Sequence, residues 1–154
     1  MSSDFEFEYG TWSVRHRRLL ERLTGCTTWK EFDGTTTCAP ILGGVGNLEE
    51  ASMPTTGTIG IALRLFDQIT HQWSIYWSSN LTGQLEPPVV GQFVDGVGTF
   101  EGNDELRGEP IKVRFVWDEI TETAARWTQS FRRLHDSDWE DNWVMSFTRS
   151  SRSH

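Results

Sequence analysis

The chain has 154 residues, 36% of them hydrophobic, with 14 Lys and Arg against 22 Asp and Glu for a formal charge of −8. That length suits one domain with its own core, and the acidic balance excludes nucleic acid or an anionic membrane as the main partner, since phosphate binding needs a basic face. No apolar run reaches the roughly 20 residues of a membrane span, and Met1-Ser2-Ser3-Asp4-Phe5 has no secretory-signal pattern, so the expected compartment is cytoplasmic.

Aromatic side chains carry an unusual share of the apolar content: eight Trp, nine Phe and two Tyr. Rings of that size either fill an interior tightly or wall a cavity. In chain order, the first predicted strand runs near 11–19, with Trp12, Val14, His16 and Arg18 on one face. Locally, residues 15–23 favour a helix ending at Gly25, but strand is the reading kept. The second strand, near 27–37, places Trp29 and Glu31 together on one face. Cys26 and Cys38 flank it as thiols that a reducing compartment would leave unpaired. They do not amount to a zinc site.

The glycine-rich stretch Gly43-Gly44-Val45-Gly46-Asn47 has no following helix and no Lys, so it reads as a loop at a barrel mouth rather than a phosphate cradle. Further strands are predicted near 46–52, 58–66 and 72–79. In the second of these Arg64 shares a face with Ala62 and Phe66, and in the third Trp73, Ile75 and Trp77 share one. Pro87 and Pro88 break the chain before strands near 89–94 and 97–102, which the pair Asp95-Gly96 joins as a type I′ hairpin. That turn sets Phe93 opposite Gly98 and Phe100 opposite Gly91. The last three strands, near 111–118, 124–132 and 141–149, are the clearest alternations. Their apolar faces carry Val113, Phe115 and Trp117, then Trp127, Gln129 and Phe131, then Trp143, Met145 and Phe147. Residues 150–154 read as a frayed tail. Ten short strands with sequential connections predict an all-β, closed antiparallel up-and-down barrel, which removes exposed edges and is wide enough for one small ligand.

Gly10-Thr11-Trp12 at the start and Phe147-Thr148-Arg149 at the end resemble the Gly-x-Trp and late Arg of lipocalin-like (calycin) barrels. With Gly43-Gly44-Val45-Gly46-Asn47, Leu63-Arg64-Leu65-Phe66-Asp67 and Asn142-Trp143, nearly the whole chain is similar to bacterial lipocalin-like domains of the DUF1579 group, whose function is unknown. The resemblance implies an Arg packed across a Trp at a closed barrel end. It is poorly specific for activity, because such barrels serve as carriers, haem proteins and occasional enzymes.

For the polar candidates, alternation leaves placements open. His16 and Arg18 point into the barrel if the first strand continues, and into solvent if it turns outward after Val14. Inside, Arg18 could hold a carboxylate or carbonyl oxygen and His16 could relay a proton. Glu31 either orients His16 as the second member of a catalytic pair or forms a surface ion pair. Arg64 and Asn47 are candidates for the interior, as is Gln129 between two rings; Trp29, Trp77, Trp127, Trp143 and Met145 are candidate walls. No hydrolase, zinc-protease or nucleotide-binding pattern occurs. The expected function is binding of a small, largely apolar or aromatic molecule without a cofactor. The alternatives are a cofactor-free cyclase, isomerase or hydratase using His16 and Glu31, and a packed barrel that forms a homodimer through an aromatic outer face.

Overall fold

The computed structural model describes residues 3–151. Ten strands follow in order: β1 (Gly10–Leu19), β2 (Trp29–Ile41), β3 (Gly46–Met53), β4 (Thr58–Asp67), β5 (Gln72–Ser79), β6 (Val89–Val94), β7 (Val97–Leu106), β8 (Glu109–Asp118), β9 (Ala124–Arg133) and β10 (Glu140–Ser151). Each pairs antiparallel with its neighbours, and β1 pairs with β10 to close an all-β barrel. Short 3₁₀ turns at Glu6–Glu8, Leu42–Gly44 and Pro54–Thr56 are the only helical elements among the described residues. None of them is long and apolar enough to cross a membrane.

Pairing explains why residues 15–19 are extended despite their local helical preference. His16 stands opposite Phe32 on β2 and Met145 on β10, so both edges of β1 are hydrogen-bonded and the strand outcompetes an isolated helical turn. The chain leaves the barrel only after Leu19, turning through Leu23 at φ 59° and Gly25 at φ 77°. The expected hairpin is present: Asp95 and Gly96 have φ of 52° and 79°, and Phe93 and Phe100 face Gly98 and Gly91. At Gly98 a Cβ would come within 2.7 Å of the Phe93 ring, so the aromatic does cover the glycine. At Gly91 the intruding neighbour would be the Thr99 carbonyl oxygen, at 1.9 Å. There it is close backbone approach that requires glycine. The predicted tail is shorter than expected, since Ser150 and Ser151 still belong to β10; residues 152–154 lie outside the described part.

One end of the barrel is solid. The N-terminal segment folds under it, and Phe5 meets Trp73 and Phe93 edge-on at 4.8 and 5.0 Å. Trp12 donates its indole N–H to the Glu8 carbonyl at 2.8 Å, and the Arg149 guanidinium lies 4.2 Å above the Trp12 ring while donating to the carbonyls of Tyr9 and Phe7. The β2–β3 connection lies at this same end, because β1 runs away from it and β2 returns. The glycine-rich residues 43–47 are therefore not at the barrel mouth, contrary to the expectation from sequence; Gly43 and Gly44 end the 3₁₀ turn Leu42–Gly44 beside the closed end, and Gly46 and Asn47 open β3.

Candidate functional site

The opposite half of the barrel encloses a cavity of about 270 Å³. Its walls are rings set at right angles. Trp143 meets Trp127 at 5.4 Å and Trp77 at 6.5 Å, both edge-on, and Phe115 packs against Trp127 at 4.8 Å. Alternation delivers them: each strand crosses the cavity with every second residue inward, so β5, β8, β9 and β10 contribute one or two rings apiece. Gly60 on β4 makes room for Trp77, whose Cη2 would stand 2.1 Å from a Cβ at that position. Met145 fills the wall beside Trp143, and Gln129 presents an amide between rings while donating to Asn142 at 2.9 Å. A bulge between Asp141 and Trp143 turns Asn142 inward, although simple alternation puts it outside.

The floor is a buried ionic cluster. Arg64 is only 2% exposed and donates to Glu8 at 2.6 Å, to Asn47 at 3.0 Å and to Glu49. Burial works against its charge, but Glu8 and Glu49 more than offset that and hold the guanidinium firmly protonated. Glu8 is fully buried, and desolvation raises its carboxyl well above the usual range despite Arg64. Desolvation thus favours the protonated Glu8 carboxyl, beside an Arg64 that stays a cation. Burial also raises the nearby Cys38 thiol, which makes it an inert core group.

At the other end of the cavity the rim is bipolar. Arg18, at the last inward position of β1, and Arg22, in the loop after it, bring positive charge, and Glu86 and Asp104 bring negative charge; Arg107 of the β7–β8 turn donates to the Arg22 carbonyl. The Arg18 guanidinium lies 4.5 Å from the Trp143 ring. Burial, then repulsion from Arg22, lowers its pKa to about 10.

Seven of the residues singled out from sequence thus meet at one cavity: Arg18, Arg64, Trp77, Trp127, Gln129, Trp143 and Met145. Asn47 is inward but lies beneath Arg64 and serves the floor. Glu31 and Trp29 require correction. Phe32 takes the inward position opposite His16, so Glu31, opposite Arg17, points outward and pairs with exposed Arg15 at 3.7 Å. Trp29 lies outside beneath the Arg17 guanidinium at 4.2 Å. His16 is inward and 1% exposed, yet it is walled off from the cavity. It stacks on Phe32 at 4.6 Å, abuts Gly34 through Nε2, and accepts the Trp143 indole N–H at Nδ1, at 3.0 Å. Burial, then the Arg18 charge, lowers its pKa to about 4. A His16–Glu31 acid–base pair has no geometric basis.

Alternation did not reveal Glu8, Arg22 or Asp104 as site residues. Glu8 precedes the first strand and reaches Arg64 only because the N-terminal segment folds under the barrel. Glu49 reaches Arg64 from β3, two residues beyond Asn47 on the same inward face. Fold and site together define a closed ten-stranded antiparallel barrel with a polar floor, aromatic walls and a charged rim. Compared with models of known protein families and with curated proteins, the chain matches none.

Proposed function

We propose that the barrel binds one small, largely apolar or aromatic molecule in its cavity. The observation that carries this reading is about 270 Å³ of interior space between Trp77, Trp127, Trp143 and Phe115. A solid core would have filled it, because protein interiors pack with few voids larger than water. The volume lies near the small end of ligand pockets, roughly 300–1,000 Å³. A dry cavity of about 150 Å³ already accepts benzene, so a ring with a short arm, or two fused rings, suits this one. Gln129 and Arg18 would orient the polar end.

The same reading takes the chain as a lipocalin-like barrel, for which the Gly10-Thr11-Trp12 opening and the Arg149–Trp12 contact speak. Both cysteines are free thiols, in keeping with a reducing, cytoplasmic setting.

The test is titration with the neutral fluorophore N-phenyl-1-naphthylamine while tryptophan emission is followed. Saturable quenching with a one-to-one end point is expected. Linear, unsaturable quenching would show that the cavity takes no guest.

A further inference from the structure

We infer that the ligand is an aromatic monocarboxylate whose ring lies between Trp77, Trp127 and Trp143 and whose carboxylate is held by Arg18. This deepens the cavity-binding reading above and rests on it.

Several other buried or half-buried arginines have partners within the fold. Arg64 is met by Glu8 and Glu49, Arg133 by Glu109 and the Leu23 carbonyl, and Arg149 by three carbonyls. Among the described residues no carboxylate or carbonyl meets Arg18. Its Nε is buried without a hydrogen-bond partner, and its guanidinium lies over the face of Trp143. Arg114 also has a buried, unpartnered Nε, but its guanidinium lies over the Trp139 ring and away from the cavity. A guanidinium taken partly out of water and left unpaired costs free energy that an incoming anion would recover. The planar fork matches a carboxylate, and the Trp143 face beneath it fixes the plane in which that fork lies.

Charge at the rim narrows the anion. Glu86 and Asp104 line the cavity, and exposed Glu105 lies next to them at the rim. A single carboxylate is matched by Arg18 alone, whereas a phosphate, with close to two negative charges, would need Arg22 as well and would be repelled by Glu86 and Asp104. The floor offers no second anion site, because Arg64 is already shared by two glutamates. Gln129 gives one amide N–H to Asn142 and keeps a second N–H and its carbonyl oxygen.

Isothermal titration with four naphthyl probes tests the inference: 1-naphthaleneacetate, its neutral amide, 1-naphthyl phosphate and 1-naphthylmethylamine. The acetate should bind about tenfold or more tightly than the amide, and added salt should narrow the gap. Arg18→Gln should abolish the preference for acid over amide, and Arg18→Lys, which restores the charge without the fork, should recover part of it. Equal binding of acid and amide by the unaltered protein would overturn the inference while leaving the cavity reading intact. So would tighter binding of the phosphate or the amine, or an acid preference that survives Arg18→Gln. If none of the four binds, and N-phenyl-1-naphthylamine does not either, the cavity reading itself falls.

Discussion

Trp143 donates its indole N–H to Nδ1 of His16 at 3.0 Å, across the seam where the last strand closes on the first. The bond requires an unprotonated Nδ1, so His16 is held as the neutral imidazole with its proton on Nε2. The histidine is thereby a support for a cavity wall and not a proton carrier. Its pKa falls from 6.5 to about 4 on folding, through burial first and the Arg18 charge second. Between those values the folded state binds fewer protons than the unfolded chain. The His16 contribution to stability is therefore fully present above pH 6.5 and is lost as the pH falls towards 4. A shift of that size corresponds to at most roughly 3 kcal/mol. Urea unfolding near neutral pH and near pH 4.5 should show a smaller acid-induced loss for His16→Gln than for the unaltered protein. Equal losses in the two would mean that His16 is already free to take up a proton in the folded state.

The floor cluster has the opposite pH signature. The folded-state carboxyl of Glu8 lies above its ordinary value, through desolvation, so the folded protein keeps a proton that the unfolded chain releases. Stability from this group is complete below the ordinary Glu pKa and is lost as the pH rises through the raised folded value. Glu8→Gln, which mimics the protonated form permanently, should flatten the fall in melting temperature as the pH rises above the ordinary Glu range. Arg64→Met leaves the buried Glu49 without its cation and should cost about 3–5 kcal/mol at neutral pH. A fall in melting temperature for Glu8→Gln as steep as in the parent would show that Glu8 ionises freely in the fold.

How far the sequence foretold these sites depends on whether one strand or several decide a side chain's direction. The walls were legible because Trp73, Ile75 and Trp77, or Val113, Phe115 and Trp117, form unbroken apolar sets within single strands. Arg64 was ambiguous because its own strand sets Ile61, Leu63 and Leu65 against it, and the buried glutamates that settle the matter come from elsewhere. Glu31 was misplaced because Trp29, a large ring of the same parity, competes with Phe32 as the inward marker of β2. The cross-strand register with His16 decides for Phe32. His16 looked chemically available because the residue that occupies its Nδ1 lies 127 positions further along the chain.

Arg149 ties three parts of the closed end together. It covers the Trp12 ring at 4.2 Å and donates to the carbonyls of Phe7, Tyr9 and Glu122. Hydrogen bonds from a charged donor contribute about 1.5–3 kcal/mol each, and their loss here would strand carbonyls at the base of the barrel. Arg149→Met should lower stability by about 2–4 kcal/mol, and amide exchange should quicken first in residues 5–9. Uniform acceleration across all strands would instead mark Arg149 as part of the global fold rather than a clasp on the N-terminal segment.

Gly60 offers a way to close the cavity without touching any residue that faces a ligand. An added Cβ would lie 2.1 Å from Cη2 and 2.4 Å from Cζ2 of Trp77, so the indole must swing away from β4. Trp143 meets it edge-on at 6.5 Å, and both rings line the cavity into which the indole would be pushed. Overpacking of this kind costs about 1–3 kcal/mol, which a closed barrel of this size tolerates. Gly60→Ala should therefore remain folded but bind N-phenyl-1-naphthylamine about tenfold or more weakly. Trimming the displaced ring in the double variant Gly60→Ala, Trp77→Leu should restore much of the affinity, since the two sites share one contact and their effects cannot add. Undiminished binding by Gly60→Ala would mean that the guest sits clear of Trp77, against β8–β10 alone.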